Sequence, residues 1–206
     1  AKMPKEIVQK NEPREGEAEI YLAGGCFWGT EHYLSLAPGV VSAESGYANG
    51  RTARPSYREV CSGSGHAEAV HVVYDPKILP LEKLLDLYYD SIDPTAKNRQ
   101  GNDVGEQYRS GVYYVAKDGK AHGEAAVIGD SLHRLQGKLK KPVAIETGPI
   151  VNFYRAEEEH QKYLEKHPDG YCHIPLSLMS DMREKAAAAK PAEEKRVYKK
   201  PSDDEL

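Results

Sequence analysis

The sequence predicts an α+β fold, a mainly antiparallel sheet with its helices on one face, and three observations predict it. Between Glu17 and Val115 the apolar segments follow one another as strand, helix, strand, strand, helix, strand. That is the split βαβ, ferredoxin-like order. "PLEKLLDLYYDSI" places Leu81, Leu84, Leu85 and Tyr88 on a single helical face behind Pro80, so this helix has one stripe to bury. Finally, 39% hydrophobic and 29% charged residues in a chain of 206 allow a core of ordinary size and argue against wholesale disorder.

Residues 1–16 are polar and charge-rich, with Pro4 and Pro13, and are expected to form an extension or clasp. "AEIYLAG" has the continuous apolar look of a buried strand, and "CFWGTEHYLSL" shows near-helical apolar spacing up to "APG". "GVVSAESGY" predicts a strand, "ANGRTARPSYREVCSGSGH" an irregular passage, and "AEAVHVVYD" another strand. "EQYRSGVYYV" alternates as a strand does. "HGEAAVIGDSLHRLQGKL" predicts a helix despite its internal glycines, and "PVAIETGPIVNFYRA" a strand with a proline-containing continuation. "EEEHQKYLEKH" predicts a short helix that stops before Pro168. The folded domain is therefore expected over 17–178, with 179–206 a charged linker or tail.

The bulk composition excludes several classes. No apolar run approaches the ~20 residues that span a bilayer. Nothing at the N-terminus looks like a secretion signal, although the chain begins at Ala1, so a cytoplasmic location is expected. A net charge of −4 gives no electrostatic reason for a nucleic-acid partner. The three cysteines, Cys26, Cys61 and Cys172, are too few for a disulfide scaffold and contain no C-x-x-C zinc spacing. They are buried hydrophobes or chemistry. No metal or organic cofactor site stands out.

The stretch "LAGGCFWGTEHY" is the most suggestive. A strand ending in Gly24-Gly25 feeds a helix that starts near Cys26, and helix N-termini carry a partial positive charge that lowers a thiol pKa. Local sequence leaves this reading and an ordinary buried cysteine equally open. Phe27 and Trp28, the latter the only Trp in the chain, are core or the walls of a small apolar pocket.

"GCFWGTEHY" resembles the signature of the A-type peptide methionine sulfoxide reductases. "PSYREVCSGSGHAEAV", "RQGNDVGEQYRS" and "HPDGYCHI" resemble that family's further blocks in the same order, so the resemblance spans roughly Glu17 to Leu178. It implies reduction of methionine S-sulfoxide, free or in proteins, as a repair of oxidative damage. Cys26 would attack the sulfoxide sulfur, and Phe27 and Trp28 would hold its methyl group. Glu68 would be the acid that protonates the oxygen, its pKa raised by desolvation. Tyr57 and Tyr108 would bind the same oxygen, and Asp103 the substrate amide.

The resemblance further implies that Cys26 becomes a sulfenic acid, which Cys172 resolves as a disulfide for thioredoxin or a similar dithiol to reduce. Many relatives carry another cysteine further on; here Ile174, Leu176 and Leu178 occupy that region. Cys61 matches a position without catalytic use and is expected to be structural, and Asn49 stands where a glycine is usual. His66 receives no role. "YKKPSDDEL" resembles the opening of the B-type reductases, which suggests a fused B-type domain. A thiol peroxidase or redox sensor, a cysteine hydrolase and a methyl-gripping binding module are the alternatives. The first leaves Phe27, Trp28 and Glu68 unexplained, and for the second nothing around Cys26 resembles known hydrolase signatures and no His-Asn pair stands out.

Overall fold

The computed structural model describes residues 2–117, 120–121 and 123–189. Its centre is a seven-stranded sheet of strands β1 (Glu6–Val8), β2 (Ala18–Ala23), β3 (Val40–Ala48), β4 (Ala67–Tyr74), β7 (Gly111–Tyr114), β10 (Glu146–Pro149) and β11 (Asn152–Arg155), in the order β1-β11-β3-β4-β2-β7-β10. Two short hairpins, β5 (Arg99–Gln100) with β6 (Asp103–Val104) and β8 (Ala116–Lys117) with β9 (Lys120–Ala121), stand apart from it. The inner pairs β11–β3, β3–β4, β4–β2 and β2–β7 are antiparallel, while β1–β11 and β10–β7 are parallel. The sheet is thus mixed, and the fold α+β.

The helices are α1 (Phe27–Ser35), α2 (Tyr57–Cys61), α3 (Leu81–Asp90), α4 (Glu124–Gly137), α5 (Tyr163–Lys166) and α6 (Leu176–Ala188). Alternation along the strands decides where they pack. Ile20 and Leu22 of β2 and Val70, Val72 and Tyr74 of β4 meet apolar residues of α1, α3, α4 and α6 in one core. Tyr21, Ala23, Ala67, Ala69, Tyr113 and Phe153 form a second, smaller cluster on the opposite face.

That opposite face also buries charge. His71, stacked on Tyr21, approaches Glu19 at 3.0 Å and Glu44 at 3.6 Å. Glu44 takes Arg155 at 2.7 Å and the backbone N–H groups of Lys10 and Asn11. The N-terminal segment is therefore a clasp, hydrogen-bonded to Glu44 beyond its strand β1.

Four local expectations change. The charge-rich segment after 178 continues as α6, because Met179 and the nearly inaccessible Met182 (1% exposed) pin it to the core. Two apolar side chains one turn apart suffice where the core offers a gap, and average composition hides them. The stretch from 190 on, with "YKKPSDDEL", lies outside the described residues. "PVAIETGPIVNFYRA" is two strands, β10 and β11, at opposite sides of the sheet. The irregular passage contains α2, started by a capping box in which Ser56 and Glu59 satisfy each other's backbone N–H.

The fourth change matters for the site. "EEEHQKYLEKH" forms a 3₁₀ turn (Glu158–His160) and the short α5, not one helix. Gln161 breaks it: its carboxamide accepts from Ser45 N–H at 3.0 Å and donates to Ser45 O at 2.8 Å, just where the β11 ladder ends opposite Gly46. Lys162 follows with φ 52°, and its N–H donates to the buried Glu31 of α1 at 2.8 Å.

Candidate active site

The turn into α1 requires its glycines. Gly25 has φ +83°, and a Cβ there would stand 2.6 Å from that of Gln100. This turn sets Cys26 at the N-cap of α1, 8% exposed. The next residue, Phe27, donates its N–H to Glu68 Oε1 at 3.1 Å and so ties the helix start to β4. The expected lowering of the thiol pKa does not occur. Burial raises it, Glu68 when ionised raises it further, and the Trp28 N–H offsets only part of this. Desolvation outweighs the helix-terminus field, so the resting Cys26 is a neutral thiol.

Glu68 lies on the helical face of β4, opposite Tyr47 of β3. It is 1% exposed, and its second oxygen, Oε2, has no hydrogen-bond partner. Burial pushes its pKa up to about 8, with the Asp103 charge adding to the shift and the Phe27 N–H opposing it. It therefore carries a proton at neutral pH. Tyr57 opens α2 and Tyr108 ends a 3₁₀ turn (Glu106–Tyr108) after β6. Both are half-buried, and burial followed by the Glu68 charge raises both pKa values, which places them in the field of that carboxyl. Cys61, at the end of α2, is exposed, so it is not the buried structural residue expected.

Asp103, on β6, accepts a hydrogen bond from Tyr171 at 2.9 Å, and its charge acts on Cys26 and Glu68. Tyr171 leads into Cys172, whose Sγ lies against the first turn of α1: a Cβ on Gly29 would stand 3.0 Å from it. Gly29 is one helical turn from Cys26, so the two thiols share one end of the helix. All three cysteines are free. His173 fills the space beside Gly25 and Gly29, and neither ring nitrogen has a partner.

Phe27 is almost fully buried, tilted against Tyr47 and His160, so the core takes most of its surface. Trp28 keeps one part open. Its other side stacks on Tyr163 with ring centroids 3.7 Å apart, and its Nε1–H donates to His160 Nδ1 at 3.1 Å. His160 also packs on Tyr57, at 4.6 Å between centroids. Burial lowers its pKa, against the raising effect of Glu157 and Glu159. Sequence reasoning missed His160 and Tyr163, which hold Trp28 in place, and Tyr171. The one available signal was their position in or beside the matching C-terminal block, since a buried histidine in "EEEH" has no compositional mark.

The structure thus gathers Cys26, Phe27, Trp28, Tyr57, Glu68, Asp103, Tyr108 and Cys172 around one end of α1. The sequence model of a family described as peptide methionine sulfoxide reductase matches residues 18–192. The peptide methionine sulfoxide reductase MsrA of Lachnoclostridium phytofermentans is 55% identical over 156 residues, covering 75% of this chain and 91% of that protein. Among solved structures, Mxr1 from Saccharomyces cerevisiae in reduced form superposes with a TM-score of 0.73 at 37% identity, over 82% of this chain and 97% of the yeast chain. Mxr1 in complex with Trx2 matches with a TM-score of 0.54 at 26% identity, over 76% and 91% of the two chains.

Proposed function

This chain belongs to the peptide methionine sulfoxide reductase family, and from that premise we propose how its residues divide the work. The enzyme is an oxidoreductase that reduces methionine sulfoxide to methionine with thiols, and thioredoxin recycles it. The sulfoxide lies with its methyl group against Trp28 and the edge of Phe27, and with its oxygen toward Glu68, Tyr57 and Tyr108. Asp103 receives an N–H of the substrate backbone. Glu68 gives its proton to the sulfoxide oxygen, which makes the sulfur electrophilic. Cys26 Sγ attacks, and its thiol proton passes to the carboxylate just formed. The oxygen leaves with Cys26 as a sulfenic acid, and methionine is released. The Cys172 thiol then displaces water to give the Cys26–Cys172 disulfide, and the external dithiol reduces it.

One observation carries this reading: Glu68 is buried, protonated at neutral pH, and has a free oxygen beside a thiol that is itself neutral. A simple nucleophilic thiol needs no such acid, whereas an oxygen leaving from sulfur does. The α+β core fits the same reading, since we take the central order β3-β4-β2-β7 as the ferredoxin-like split βαβ arrangement. The S sulfoxide is the substrate in this scheme. Incubation with separated diastereomers and dithiothreitol tests it; failure to consume the S form, or equal consumption of both, would refute the assignment. The tail beyond 189 is read, on its resemblance alone, as leading toward a B-type domain. The coding sequence past Leu206 decides that, and a stop codon there ends the idea.

A further inference from the structure

We propose that Glu157, Glu159 and His160 form a site for a first-row divalent cation, and that filling it detaches Trp28 from His160. His160 Nε2 lies 4.0 Å from Glu157 Oε2 and 3.8 Å from Glu159 Oε1, and the three ligand atoms lie within 4.8 Å of one another. A cation held at roughly 2.1 Å from each donor keeps its donors about 3–4.2 Å apart, and rotation of the exposed Glu159 carboxylate toward the fixed Glu157 and His160 brings the three into that range. The imidazole itself is the second indication. His160 is 6% exposed, yet its Nε2 has no hydrogen-bond partner and points at the carboxylates. Glu157 is fixed from behind, since its Oε1 accepts from the Tyr47 hydroxyl at 3.0 Å and its Oε2 from the Tyr57 N–H at 3.2 Å. Each oxygen retains a lone pair. Glu159 makes no other ion pair among the described residues.

The tautomer gives the site its consequence. Trp28 Nε1–H donates to Nδ1, so the single proton of the neutral ring is on Nε2. A cation takes the Nε2 lone pair, and that proton moves through solvent to Nδ1, leaving the ring neutral. Nδ1–H then faces Trp28 Nε1–H, donor against donor, and the hydrogen bond is lost. Cation binding and the observed Trp28 position therefore oppose each other, and the opposition is reciprocal. Two carboxylates and one imidazole suit Mn²⁺ and its neighbours, whereas Mg²⁺ prefers oxygen alone.

The test uses MnCl₂ on the reduced full chain. Loss of the free Mn²⁺ resonance counts bound cation, and the emission of Trp28, the only tryptophan, reports on its hydrogen bond. We expect one Mn²⁺ per chain, an emission change that follows the same curve, no response to Mg²⁺, and binding weakened about tenfold or more by Glu159→Gln. No binding at millimolar Mn²⁺, binding indifferent to Glu159→Gln, or silent emission at saturation would overturn the proposal. A rise in sulfoxide KM on Mn²⁺ binding is also expected, and this arm rests on Trp28 touching substrate. Binding with the emission change but an unmoved KM would refute that role of Trp28 and uphold the cation site.

Discussion

Two carboxylates are buried on opposite faces of one sheet, Glu44 on β3 and Glu68 on β4, and they rest in opposite protonation states. They are 2% and 1% exposed, so burial alone does not separate them. Glu44 is desolvated, but His71, Arg155 and the N–H groups of Lys10 and Asn11 hold its pKa below the ordinary carboxylate value. Glu68 is desolvated with one N–H donor, from Phe27, and with the negative field of Asp103, and it keeps its proton. A buried acid is structural where the fold supplies cations and donors, and chemical where the fold withholds them.

The largest test of this contrast is Glu68→Gln. It should lower kcat at neutral pH by about 10²–10⁴-fold while moving KM little, because the amide keeps the shape and loses the proton. Parallel losses in kcat and affinity would mean that Glu68 only shapes the pocket. In the wild type, kcat/KM should fall as pH rises through about 8, where Glu68 ionises. A rate still climbing past that point would break the acid assignment.

Stability should separate the pair by sign. The folded pKa of Glu44 is lowered, so its contribution is present above the unfolded carboxylate pKa and is lost as pH falls through the folded value. Glu44→Gln should cost about 3 kcal/mol at pH 7, since it leaves Arg155 and His71 short of a partner. The folded pKa of Glu68 is raised, so its favourable contribution belongs to low pH and fades as pH rises from the unfolded value through about 8. Glu68→Gln should therefore raise the melting temperature at pH 8 relative to wild type. A drop in both variants would erase the distinction.

The smallest effect concerns the second thiol. Gly29→Ala puts a methyl 3.0 Å from Cys172 Sγ while improving helix propensity by about 1 kcal/mol. Thioredoxin-dependent turnover should slow several-fold, with the first methionine formed at the normal rate. Slowing of that first turnover instead would show that Gly29 matters to substrate.

The strand and helix order was legible because alternation and apolar stripes are local. Glu68 was legible as an acid only through the family resemblance, since a glutamate at the start of a strand reads locally as a surface residue at its edge. The state of the Cys26 thiol stayed open because its cause is not local. A helix start is visible in sequence, but the burial that outweighs it comes from packing distant in the chain. His160 and Tyr163 stayed hidden because their importance lies in what they touch: "EEEHQKY" looks like a solvated helix until Gln161 and Glu31 fold it against α1. The helix of Met179 and Met182 was lost in the average of its charged neighbours.

Gln161 has an effect beyond shaping that turn. Its carboxamide oxygen accepts from Ser45 N–H, as a peptide carbonyl would, and its NH2 donates to both Ser45 O and Ala156 O. The strand edge that opens where β11 turns away is therefore closed by this side chain together with the Ala156 N–H, which donates to Ser45 O at 2.9 Å. An extended segment from another molecule finds no free backbone groups at Ser45 to pair with, so a site of intermolecular aggregation is removed without a further strand.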